Sequence, residues 1–316
     1  MSDLTFLIER FRAKGEAPAL AARGKVLSYS GLADAVDERI AWLERHGIGL
    51  GKPTILLGDF SFHSVSLMLA LIARRAIAIP LTPTTYQSLG DQIDEIAAEF
   101  VLDARTPEIV VERRSAKIPN ALYQTLIDRG TCGLVLFTSG STGRPKAVVH
   151  DFARLIEKFR KARAAMVTLN FLLFDHWGGI NTLLGVLSSG GLTVLPMGRN
   201  PDEICQLIAE HRVELLPATP SFLNMLLISR TYERADVSSL KLITYGAEPM
   251  PVSTLLRLRE VFPSVELRQT YGMIELGVMR AKSESSDSLW VKLGGEGYQV
   301  RVADASISRF SAATPI

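Results

Sequence analysis

The chain has 316 residues, 47% of them apolar and 22% charged, enough to bury one large α/β unit or two domains. Its formal net charge of +2 is too small to argue for nucleic acid or an anionic membrane surface as a partner. Two cysteines, Cys132 and Cys205, cannot make a disulfide framework, no signal peptide is legible, and Arg74 and Arg75 interrupt the longest apolar stretch; a cytoplasmic protein with no membrane span is expected.

In chain order, a helix is expected over residues 4–11 and two short strands over 19–27, joined at Arg23 and Gly24. Ser30 stands where a cap should, ahead of a helix over 32–46 whose Leu32, Val36, Ile40 and Leu43 keep one face. A strand over 53–57, a nearly all-apolar helix over 62–75 and a buried strand over 76–81 follow. Strand, helix and strand at this spacing predict a parallel sheet covered on both faces. An amphipathic helix is expected over 85–100.

The next stretch carries chemistry. Four apolar residues over 134–137 run into Thr138, Ser139, Gly140, Ser141, Thr142, Gly143, Arg144, Pro145 and Lys146, and a second apolar run over 147–149 follows at once. A polyphosphate is held by many short donors converging on its oxygens. Here hydroxyls are plentiful, the glycines let backbone N–H groups approach, and Lys146 adds a compact charge at the loop's end. The order is not that of a Walker loop, which needs G-x-x-x-x-G-K-[ST] before a helix.

The Arg- and Lys-rich residues 151–166 spread their charge as a solvated helix does. A buried strand over 168–174 delivers Asp175, His176, Trp177, Gly178, Gly179, Ile180 and Asn181, an acid, an imidazole and an aromatic at the strand edge where α/β sheets hold ligands. Further strands are expected over 190–197, 213–217 and 238–245, with helices over 201–211 and 222–229. Gly246, Ala247, Glu248 and Pro249 make a strand-to-helix turn. In residues 268–277 Tyr271 can stack on a purine, Gly272 admits a nucleotide and Glu275 offers a hard oxygen to Mg²⁺.

The run 138–146 resembles the signature loop of the adenylate-forming superfamily, which holds acyl-CoA synthetases, luciferases and the adenylation domains of peptide synthetases. Residues 75–83, FDHWGGINTLL, the Gly246–Ala247 turn and RQTYGMIELG resemble that family's other blocks. The resemblance implies an α/β fold of stacked, mostly parallel sheets with helices on both faces, divided near 130 into two subdomains, with a small β subdomain opening at 289–316. It implies that ATP and Mg²⁺ are used to turn a small carboxylic acid into an acyl-adenylate, with coenzyme A or the thiol of an acyl or peptidyl carrier protein as acceptor.

By the same resemblance Lys146 and the loop grip the β- and γ-phosphates, Gly246, Ala247 and Glu248 line the adenine, and Tyr271 stacks on it. Glu275 with Thr138 holds the metal, and His176 stands beside the substrate carboxylate. Asp175 takes the place where amino-acid-activating members hold the substrate ammonium. Trp177, Gly178, Asn181 and Met273 fall by position around the acyl pocket.

Two departures qualify the resemblance. The family pattern Tyr-Gly-x-Thr-Glu has Ile274 where the threonine stands, forfeiting a hydrogen bond to a charged group worth roughly 1.5–3 kcal/mol. The family's ribose-binding aspartate, hinge and C-terminal domain with its lysine have no counterpart in the 316 residues, which implies nucleotide binding with impaired turnover. The second reading is a non-catalytic nucleotide-binding or interaction protein that keeps the fold. A kinase or Walker-type NTPase has no motif to support it.

Overall fold

The chain opens with β1 (Pro18–Ala22) and β2 (Lys25–Ser28), an antiparallel pair. It then leaves that pair to build β3 (Pro53–Leu57), β4 (Ile77–Leu81), β5 (Phe100–Asp103), β6 (Val110–Arg113), β7 (Gly133–Thr138) and β8 (Lys146–Asp151). It returns with β9 (Val167–Leu169), β10 (Leu192–Val194), β11 (Leu215–Ala218), β12 (Leu242–Tyr245) and β13 (Glu266–Gln269). The computed structural model describes residues 4–115, 120–138, 145–279 and 281–294. Ser139, Gly140, Ser141, Thr142 and Gly143 therefore lie outside the described residues, as does most of the expected β subdomain.

The six-stranded sheet runs β6-β5-β3-β4-β7-β8, parallel in its centre and antiparallel at both edges. The seven-stranded sheet runs β13-β12-β11-β9-β10-β1-β2 and is parallel except for the β1–β2 pair. Sheet membership does not follow the expected division near 130. The first pair of strands belongs with the C-terminal half, and the β7–β8 hairpin completes the sheet begun at β3.

Side-chain alternation explains the layering, because successive residues of a strand point to opposite faces. Leu56, Ala78, Leu102, Leu134 and Leu136 share one buried cluster with Leu20 and with helices Tyr29–Arg45, Phe62–Ala73 and Trp177–Ser189. Those helices form the filling between the two sheets. The alternate residues Ile55, Ile79, Val101 and Val135 pack outward against Leu89, Ile93, Tyr123 and Leu126. On the far face of the larger sheet Leu216, Ile243 and Leu267 meet Ile204, Leu223 and Leu255, of helices Pro201–His211, Pro220–Ser229 and Val252–Val261. Each Leu or Ile so buried contributes roughly 1.5–3 kcal/mol. No helix among the described residues is long and apolar enough to cross a membrane.

Several local expectations shift. The cap of the second helix is Ser28, whose Oγ accepts from the Gly31 N–H at 3.1 Å, so Tyr29 rather than Leu32 opens it. The helix expected over 85–100 is two short ones, Pro83–Leu89 and Gln92–Glu95. They are divided at Gly90, whose φ of +49° is a left-handed backbone that glycine tolerates best, and Phe100 already begins β5. The strand expected over 168–174 ends at Leu169, and the one expected over 190–197 covers only Leu192–Val194. The basic helix of 151–166 is confined to Phe152–Ile156 and a 3₁₀ turn, Glu157–Arg160.

Candidate active site

Open α/β sheets present their loops for ligands at the carboxyl ends of the parallel strands. Here that edge of the larger sheet supplies Pro217 and Ala218 from β11, Thr244 and Gly246 from β12 and its turn, and Thr270 after β13. Leu172, His176, Trp177 and Gly178 close the other side. All of them line one open cleft of about 480 Å³, together with Ala247, Tyr271, Gly272, Met273 and Val278. Four stretches far apart in sequence are thus brought together.

The turn after β12 is tightly built. An added Cβ on Gly246 would lie 2.5 Å from the Thr270 Oγ1 and 2.6 Å from its carbonyl oxygen, so only glycine fits there. Ala247 follows at a φ of +68°, which costs an L-residue about 1–2 kcal/mol and exposes the turn's backbone to the cleft. Glu248 points elsewhere. Its Oε2 accepts from the Ser221 N–H at 3.0 Å and Oγ at 2.6 Å, at the start of helix Pro220–Ser229.

Tyr271, Gly272 and Met273 run into a two-stranded ribbon, Gly272–Met273 with Gly277–Val278, and Tyr271, 40% exposed, is among the residues that line the cleft. Glu275, at the ribbon's turn, is exposed and lines no part of the cleft. The ribbon is seated on Trp177, since a Cβ on Gly277 would meet the indole Nε1 at 2.8 Å. Trp177 in turn stacks on His150, with ring centroids 6.1 Å apart.

His176 caps helix Trp177–Ser189, its Nδ1 accepting from the Gly178 N–H at 3.1 Å. An accepting Nδ1 leaves the ring proton on Nε2. Burial lowers the basicity of this imidazole, with Asp175 pulling the other way, so it stands as a neutral donor. His176 also lines a second, mostly apolar chamber with Leu81, Thr85, Phe137, Leu173, Asp175 and Ile274. Asp175 is occupied there: its Oδ2 accepts from the Thr82 N–H at 3.0 Å and Oγ1 at 2.8 Å, and Thr82 caps helix Pro83–Leu89.

Phe137 connects this chamber to the β7–β8 hairpin. Thr138 and Lys146 pair at the open end of that hairpin. Lys146 is exposed and lines a separate cleft with Phe137 and Tyr123. Asn181, one turn into its helix, lines neither the cleft nor the chamber. The sequence reading did not single out Leu172, Pro217, Ala218, Thr244, Thr270 or Val278; the first carboxyl-terminal residues of neighbouring parallel strands are the signal that finds most of them.

Three histidines, His150 buried and His63 and His176 half-buried, couple the fold to pH. Burial holds His63, His150 and His176 below their usual value of 6.5. The unfolded chain therefore binds more protons than the folded one just below that value, and stability rises with pH through the window. The urea midpoint is expected to fall as pH drops from 7.5 to 5.5, and these groups add no slope above 7.5. A midpoint that rises on acidification contradicts the assignment.

The two stacked sheets and the cleft at their carboxyl edge define an α/β protein of the adenylate-forming type. The chain belongs to the AMP-binding enzyme family, whose model matches residues 7–307. It is 25% identical over 297 residues to a probable CoA ligase of Humulus lupulus, covering 81% of this chain and 54% of that one. It is likewise 25% identical over 299 residues to a D-alanine–D-alanyl carrier protein ligase of Staphylococcus epidermidis, covering 88% and 60%. The chain thus spans little more than half the length of these relatives. Its fold is shared by a luciferase-like enzyme of the nonluminescent Zophobas morio mealworm, with a TM-score of 0.71 at 19% identity over 88% of this chain and 74% of that one.

Proposed function

We propose that the cleft binds ATP and a small carboxylic acid and joins them as an acyl-adenylate. The observation that carries this reading is the convergence of the Gly246–Ala247 turn, Tyr271–Gly272 and His176 on one cleft. In the reaction a carboxylate oxygen attacks the α-phosphorus in line, the bond to the β-phosphate's bridging oxygen breaks, and pyrophosphate leaves. Tyr271 stacks on the adenine and the Gly246 turn lies along its edge. The His176 Nε2–H donates to the carboxylate and holds it for attack. Loop 138–146 and Lys146 take the phosphate oxygens, a cationic contribution typically worth ~10²–10³ in rate.

Among the described residues no group of three or more His, Cys, Asp or Glu gathers to hold a metal. That suits Mg²⁺, which keeps several waters and is carried on substrate phosphates by one or two protein oxygens. Glu275 and Thr138 are the residues that would hold it, and a metal bound there would supply charge neutralisation on the phosphates. By likeness to the CoA and carrier-protein ligases, the acyl group then passes to a thiol, of coenzyme A or of a carrier protein.

The test is carboxylate-dependent exchange of labelled pyrophosphate into ATP. Exchange that requires an acid and is lost in Lys146→Ala supports the reading; binding of ATP without exchange from any acid favours the second reading, a nucleotide-binding protein without turnover. Ile274 motivates that alternative, being half-buried and lining the chamber beside His176. Ile274→Thr restores a hydroxyl there, and its adenylation rate is expected to rise roughly 10-fold or more, the equivalent of a hydrogen bond to a charged group. An unchanged rate contradicts the placement of Ile274 beside the reacting atoms.

A further inference from the structure

Strand β9 ends at Leu169, and residues 170–176 then run without helix or strand to the start of helix Trp177–Ser189. This stretch sets Leu172 and His176 at the cleft and Leu173 beside the chamber. A segment outside the sheet ladder is fixed by whatever else its polar groups and rings meet. At its far end the Phe174 ring meets the Phe60 ring edge-on, centroids 5.0 Å apart, and Asp175 accepts from Thr82. At its near end the hold is Arg199.

Arg199 stands after β10, just before the Asn200 cap of helix Pro201–His211. Its Nη1 and Nη2 donate to the two carboxylate oxygens of Asp59 at 2.9 and 3.1 Å, and its Nε donates to the Phe171 carbonyl at 2.7 Å. Asp59 lies just beyond β3 in the other sheet, where its Oδ1 also accepts from the Phe60 N–H at 2.8 Å. One guanidinium thus ties both sheets to the loop. Its planar fork of donors suits that task, and the compact ammonium of a lysine does not. The side chains of the ion pair are 23% and 36% exposed, so its worth lies in geometry more than in Coulomb energy.

We propose that Arg199 is a positioning residue: anchored on Asp59, it fixes the Phe171 carbonyl and through it the loop that sets Leu172 and His176 at the cleft. The strap stands on geometry alone; its consequence for rate rests on the acyl-adenylate reading.

The experiment compares Arg199→Lys, which keeps a charge for Asp59 but loses the fork, with Arg199→Met, which loses both. Each full chain is measured by amide hydrogen exchange with mass spectrometry, by urea melt and by calorimetric binding of AMP. Pyrophosphate exchange is followed with whichever of benzoate, hexanoate and D-alanine is fastest in the unsubstituted chain. In both variants the amides of residues 170–179 are expected to exchange faster, AMP affinity to stay within about 3-fold, and acid-dependent pyrophosphate exchange to fall about 10- to 100-fold, since a misplacement of 1 Å can cost ~10²-fold. Only Arg199→Met should lower the urea midpoint appreciably. Unchanged amide exchange over 170–179 in folded Arg199→Lys overturns the proposal, as does undiminished pyrophosphate exchange in that variant or an equal loss of AMP affinity, the mark of a merely structural role. Faster amide exchange there, with no pyrophosphate exchange from any of the three acids in the unsubstituted chain, upholds the strap and counts against the adenylation reading alone.

Discussion

Gly246→Ala is expected to lower affinity for AMP at least 10-fold and to destabilise the fold by about 1–3 kcal/mol, the usual range for forcing a methyl into packed space. The added Cβ would sit within 2.6 Å of the Thr270 carbonyl oxygen, and that atom is held: the Thr270 N–H donates to the Tyr245 carbonyl at 2.7 Å, and its hydroxyl to the same oxygen at 3.1 Å. Neither strand end can retreat without breaking that bridge, so the turn or the segment leading to Tyr271 must move into the cleft. Isothermal titration with AMP, alongside a urea melt, separates the two effects. Unchanged affinity in a folded variant means that the turn does not border the nucleotide.

Tyr271→Ala is the second large effect. Base–aromatic stacking is worth about 1–3 kcal/mol per base, so the dissociation constant for ATP should rise about 10- to 100-fold, while Tyr271→Phe, which keeps the ring, should stay within about 3-fold. Because Tyr271 is 40% exposed, little packing is lost and stability should barely change. A binding loss in both variants would place the importance on the hydroxyl and not on stacking.

What the sequence revealed of this architecture was whatever could be read locally. The β3 strand, Pro53–Leu57, is a short apolar run between turn residues, and its limits were legible. So was the β7–β8 pair, because Thr138 ends one apolar run and Lys146 precedes the next. Helix 85–100 was misread because its apolar spacing continues past Gly90, and only the positive φ there shows the break.

The role of Asp175 was beyond a local reading. Its partner Thr82 lies 93 positions earlier, and a carboxylate that clasps a turn looks the same in sequence as one that meets a ligand. His176 reads the same way in part: its position was legible, but its role as the helix cap, which fixes the proton on Nε2, depends on the fold of Gly178. Asn181 was placed by adjacency to the motif, yet helical geometry carries it past the cleft that Trp177 and Gly178 reach.

That adenosine occupies the cleft between the Gly246 turn and Tyr271 can be tested without turnover, by photolabelling with 8-azido-ATP and mapping the modified peptide. Label on a peptide containing residues 246–248 or 271–273, suppressed by excess AMP, is the predicted result. Label confined to peptides outside the cleft, or label within it that AMP does not displace, contradicts the account.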